Sequence, residues 1–182
     1  MSSIRNREAF VRRTKEILER KYDYFKEEED REVTFLLNCL LGTIVAVSEN
    51  EKKTKKKLSA SVIDGEFLDL IPDKIGFLKN VKGKYGVKRK YDLTNPETHH
   101  FDFEVGHKAD LKGKEKSWLL NKIRNGIAHL NMEWENELGK CKDIRLWNEP
   151  RRDIRDFEIV FAVDELKKLA IELSIRALSP IS

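Results

Sequence analysis

The chain has 182 residues, which fits one domain with room for a proper core. Hydrophobic residues make up 40% and aromatic residues 9%, which excludes global disorder, and charged residues make up 37%, as in a soluble protein. The 36 Lys and Arg are nearly offset by 32 Asp and Glu, leaving a net charge of +4, so any basic surface for nucleic acid must come from local clustering.

The first part runs from about Ile4 to Ser48. Phe10, Val11, Thr14, Ile17, Leu18, Lys21, Tyr22 and Phe25 recur at three- and four-residue intervals, which predicts an amphipathic helix. The acidic cluster Glu27 to Asp30 marks a break. A second helix is expected from about Arg31 to Val47. Its apolar residues, among them Val33, Leu36, Leu37, Leu40, Leu41, Ile44 and Val45, cover more than one face and predict the most buried helix. Asn38 interrupts it, either as a core polar group bonded to a neighbouring helix or as a residue facing a site or dimer seam. The apolar run Phe35 to Val47 is too short to span a bilayer.

The middle, 49–113, reads as an irregular, basic insertion within a single domain spanning 1–182. A short helical piece is expected around Glu66 to Leu78. Glu49 to Lys57 carries five Lys. Lys79 to Lys90 holds six basic residues and no acid, with Tyr85 among them. Such a run is either a solvated loop or a surface for an RNA backbone, in which case Lys82, Lys84, Lys88, Arg89 and Lys90 are its contacts. His99, His100 and His107 lie in THHFDFEVGH beside Asp102 and Glu104. Their spacing matches no metal template, so a loop or hairpin without metal is expected, and no cofactor.

In the last part, Trp118, Leu119, Leu120, Ile123 and Ile127 predict a third helix ending near His129. Ile144 to Trp147 alternates in polarity and Phe157 to Phe161 does so less strictly, on either side of a Pro- and Arg-containing segment, the pattern of a hairpin with a long tip. A final helix is expected from Asp164 as N-cap, with Pro180 after it. The N-terminus has no apolar leader, and Cys39 and Cys141 lack the spacing of a disulfide framework or zinc site, so reduced thiols and a cytoplasmic location are expected.

Chemistry concentrates in Arg124-Asn125-Gly126-Ile127-Ala128-His129. Arginine grips phosphate with a planar fork of donors, and histidine moves protons near neutral pH. On a straight helix five residues rotate by about 140°, so Arg124 and His129 would not share a face. Gly126 offers a place where the helix distorts or ends. Asn125 and His129 do share a face, so Asn125 is expected to orient the imidazole or touch the phosphate. The bland alternative is that both cations simply complement the dipole at a helix end.

Four helices with Arg-Asn-x3-His at the end of the third resemble the HEPN superfamily. Leu36 to Val47 is similar to its second helix, and Ile144 to Glu149 with Phe157 to Leu173 to a C-terminal hairpin and last helix of the bacterial HEPN-family nucleases. The resemblance covers the first fifty and last seventy residues. It implies an all-α, four-helix bundle with a small β-hairpin before the last helix. It also implies a metal-independent endoribonuclease with Arg124, Asn125 and His129 as catalytic residues. RNA is the implied substrate, a homodimer the implied assembly, and toxin–antitoxin or antiviral defence the implied setting, with a cognate antitoxin as partner and no membrane. The same resemblance also admits a noncatalytic RNA-binding or dimerisation module.

Overall fold

The structure is a computed structural model, and it describes residues 2–20, 22, 31–54, 62–78, 105–137, 140–150 and 155–178. Three long helices follow the expected periodicities. They are α1 (Ser2–Arg20), α2 (Arg31–Thr54) and, after the short α3 (Gly65–Leu68), α4 (Lys116–Ala128). The last helix, α5, spans Val163–Leu178. It begins one residue before Asp164, and the backbone N–H of Ala162 donates instead to the Glu165 carboxylate at 2.8 Å, half of a capping box.

The all-α expectation is overturned by the sheet. Among the described residues, five antiparallel strands run in the order β2-β1-β5-β4-β3, making a mixed α/β fold with about 23% of those residues in strand. They are β1 (Ile75–Leu78), β2 (Val105–Gly106), β3 (Met132–Glu137), β4 (Lys140–Asn148) and β5 (Phe157–Ala162). The expected hairpin is present as β4–β5, with Ile144 opposite Phe161 and Leu146 opposite Ile159. It is the centre of the sheet rather than an appendage. β1 and β2 come from the stretch expected to be irregular, and β1 occupies the end of the piece expected to be helical. Here α3 stops after one turn, Pro72 follows, and Ile75 and Phe77 face inward with period two.

β5 sits between β1 and β4 and is buried on both faces, which is why its alternation is weak. Phe157, Ile159 and Phe161 point into the core. On the other face Glu158 is fully buried, where Arg145 approaches at 3.5 Å and Arg155 at 3.3 Å.

The helices cover the inner face. Leu36, Leu40 and Ile44 of α2 join Leu18, Phe67, Leu119, Ile123, Leu166 and Leu169 in one core. Each fully buried side chain of this size contributes roughly 1.5–3 kcal/mol. The stretch Arg31–Ser48 is long and apolar enough to cross a membrane by composition, since α2 extends beyond the apolar run, but half of it is buried in this core. Asn38 is exposed, so it is not the buried core group considered from sequence. Cys39 is buried and Cys141 partly so, and the Cys141 thiol donates to the Asp143 carbonyl oxygen at 3.8 Å.

Candidate active site

The site is set by how α4 is clamped to the sheet. At its start, buried Lys116 bonds Asp64 at 3.1 Å and lies 5.0 Å above the Phe67 ring. Two residues on, Trp118 packs edge-on against Phe77 at 5.3 Å and Phe157 at 5.9 Å. Further along, Gly126 meets the backbone of Trp147 in β4, and a Cβ there would lie 2.9 Å from the Trp147 carbonyl oxygen. The helix continues through Gly126 to Ala128 instead of ending at the glycine. The glycine supplies closeness, not a kink.

The helix closes with a Schellman turn. Leu130 N–H donates to Ile127 C=O at 3.1 Å and Asn131 N–H to Gly126 C=O at 2.9 Å. Leu130 takes the left-handed position (φ 55) usually given to glycine, and its side chain is 78% exposed. A non-glycine residue there costs about 1–2 kcal/mol. Asn131 C=O then accepts from Trp147 N–H at 3.1 Å, tying the turn to β4.

His129 caps the helix and is exposed. Its backbone N–H donates to Asn125 C=O at 3.0 Å, and its imidazole makes no hydrogen bond among the described residues. Arg124 is half-buried, and its Nη2 donates to Asn125 Oδ1 at 2.7 Å. Among the described residues its buried Nε has no hydrogen-bond partner, and no carboxylate pairs with it. Asn125 does not reach the imidazole. Its Nδ2 donates to Asn148 Oδ1 at 3.0 Å, and Asn148 Nδ2 donates to Asp156 Oδ1 at 2.6 Å. Lys122, two residues before Arg124, donates to the other oxygen of Asp156.

The structure thus brings Arg124 and Asn125 into one hydrogen-bonded group and leaves the His129 side chain outside it, at the end of the same helix. Lys82, Lys84, Lys88, Arg89 and Lys90 lie outside the described residues, as do His99 and His100. His107 is described, and its backbone N–H donates to Asp110 at the start of a 3-10 turn, Lys108–Leu111.

Sequence reasoning missed Asn148, Asp156 and Lys122. One signal was present. Ile144, Leu146 and Asn148 share the inward face of β4 by period two, so Asn148 had to be a buried polar group with partners.

No curated protein and no solved structure matches the chain. One family model does, described as HEPN pEK499 p136, and it matches residues 1–178. A HEPN domain points to a nuclease or RNA-binding role in general. With nearly its whole length matched, the chain belongs to the HEPN pEK499 p136 family.

Proposed function

We propose that this protein is a metal-independent endoribonuclease. The observation that carries the reading is Arg124, a half-buried cation whose described partner is a neutral amide and not a carboxylate. Its charge stays available for an anion, and its fork suits two phosphoryl oxygens. The exposed imidazole of His129 lies at the end of the same helix.

RNA brings its own nucleophile, the 2′-OH. His129 takes the proton from that hydroxyl or gives one to the departing 5′-oxygen. Arg124 stabilises the charge that grows on the phosphoryl oxygens. The products are a 2′,3′-cyclic phosphate and a 5′-OH end.

A homodimer completes this scheme, because one histidine cannot serve as base and acid at once. Leu130, exposed directly after His129, gives the helix end an apolar contact point suited to a twofold axis. The role that fits is a cytoplasmic toxin or antiviral effector, with an antitoxin as its partner in the former case.

The test is cleavage of cellular RNA by the purified protein in EDTA, beside Arg124→Ala and His129→Ala. Each variant should cut about 10²-fold more slowly, and EDTA should change nothing. Activity lost in EDTA but kept by His129→Ala would sink the assignment. Wild-type protein that binds RNA without cutting it is instead a noncatalytic HEPN module.

A further inference from the structure

We infer that Asn148 and Asp156 are positioning residues for Arg124 and act on it through Asn125; this rests on reading Arg124 as the group that holds phosphate. The four side chains form a relay whose direction is fixed at both ends. At one end, Asp156 accepts from Lys122 with one oxygen and from Asn148 with the other. At the other end, the Arg124 guanidinium can only donate.

Two amides connect them, and each has one possible orientation. Asn148 must turn its nitrogen to Asp156, so its oxygen faces Asn125. Asn125 must then turn its nitrogen to Asn148, so its oxygen faces Arg124. Reversing either amide would set oxygen against oxygen at one contact and donor against donor at the next. Asn148 is only 3% exposed, so water is poorly placed to repair such a mismatch.

The relay's anchors come from rigid elements. Asn148 ends β4, and Asp156 immediately precedes β5. The backbone N–H of Asp156 donates to Asn148 C=O at 3.2 Å. Lys122 returns the chain of bonds to α4, two residues from where it ends. A long, flexible arginine is thereby held at Nη2 before substrate arrives, which lowers the cost of ordering it in the transition state.

The experiment measures RNA cleavage by the full chain carrying Asn148→Asp, Asp156→Asn, or both. Asn148→Asp opposes two carboxylates and should lower kcat roughly 10- to 100-fold. KM should stay within about 2-fold, because the group acts in the transition state. Asp156→Asn should lower kcat less than Asn148→Asp does, since its amide oxygen still accepts from Asn148 while its nitrogen faces the Lys122 ammonium, whose flexible stem can turn aside. The double variant should recover kcat to within about 3-fold. In it the new amide at 156 donates to the new carboxylate at 148, which still accepts from Asn125.

A role confined to fastening α4 to the sheet would shift the unfolding midpoint while leaving kcat alone. Wild-type kcat in Asn148→Asp, or a double variant as slow as the single, overturns the proposal. If Asn148→Asp does not fold, the double decides: kcat near wild type supports the relay, and kcat at the level of Arg124→Ala refutes it.

Arg124→Ala separates this claim from the one beneath it. Should that variant cut normally, Arg124 is not the phosphate group. The relay is then judged by the Arg124 Nε–H resonance in ¹⁵N NMR. A sharp signal lost in Asn148→Asp and restored in the double supports the hold, and an unchanged signal refutes it.

Discussion

Gly126 rests on the backbone of Trp147, close enough that a methyl group would sit 2.9 Å from the Trp147 carbonyl oxygen and 3.5 Å from its nitrogen. That approach sets the spacing between α4 and β4, and so lets Asn125 reach Asn148 in the next layer. Alanine at 126 gains about 1 kcal/mol of helix propensity. It also pushes against main-chain atoms that cannot swing aside, at a cost of about 1–3 kcal/mol. Gly126→Ala should therefore lower Tm in a thermal melt and slow cleavage with it. A Tm equal to or above wild type would mean that α4 lifts from the sheet without penalty.

The dimer can be tested by mass and by mixing. Light scattering at micromolar concentration should give about twice 21.4 kDa. If the working site draws on both copies, excess His129→Ala should depress activity per wild-type chain. A monomeric mass with activity indifferent to the variant would leave a one-histidine mechanism.

The basic run makes a salt prediction. Neutralising Lys82, Lys84, Lys88 and Lys90 should weaken RNA binding and flatten its dependence on salt, by about 0.7 in log–log slope per lost contact on single strands. An unchanged slope would reduce the run to a solvated loop.

Acid stability should depend on Asp64. This residue caps α3, accepting from the Phe67 N–H at 2.7 Å and from the Lys116 ammonium at 3.1 Å. The Phe67 N–H first, and Lys116 after it, hold its carboxyl below the ordinary value of 3.8. A carboxyl depressed on folding adds stability above its unfolded pKa, near pH 4, and loses it as the pH falls through the folded value. Asp64→Asn keeps a capping oxygen but should make the acid limb of the stability–pH curve shallower. Asp64→Ala should cost about 1 kcal/mol of unfolding free energy at pH 7 through loss of the cap. Parallel acid limbs for wild type and Asp64→Asn would exclude this role.

What could be read from the sequence follows what is local. The long helices were visible because Leu36, Leu40 and Ile44, or Leu166, Leu169 and Leu173, repeat at helical spacing. The β4–β5 hairpin was visible because Ile144 and Leu146 alternate with Asp143 and Arg145. β3 was missed because only Met132 and Trp134 are apolar in it, and Glu133, Glu135, Asn136 and Glu137 mimic a polar loop. β1 and β2 are four and two residues long and pair only through partners distant in the chain. At the site, Arg124 and His129 could be chosen from residue chemistry alone. Their surroundings could not, because Asn148 and Asp156 reach Asn125 only after the hairpin docks on α4.

The outer edge of the sheet limits how two copies can meet. Among the described residues β3 is the last strand, and Glu133 and Glu135 on it are exposed. Two such edges laid antiparallel and centred on Trp134 would set Glu133 of one copy opposite Glu135 of the other, on the same face of the joined sheet. Like charges in register guard a free edge against adding strands of its own kind. An edge-to-edge pairing in this register meets that repulsion, so the proposed homodimer is sought at the helix end that carries His129 and Leu130 rather than along the strands.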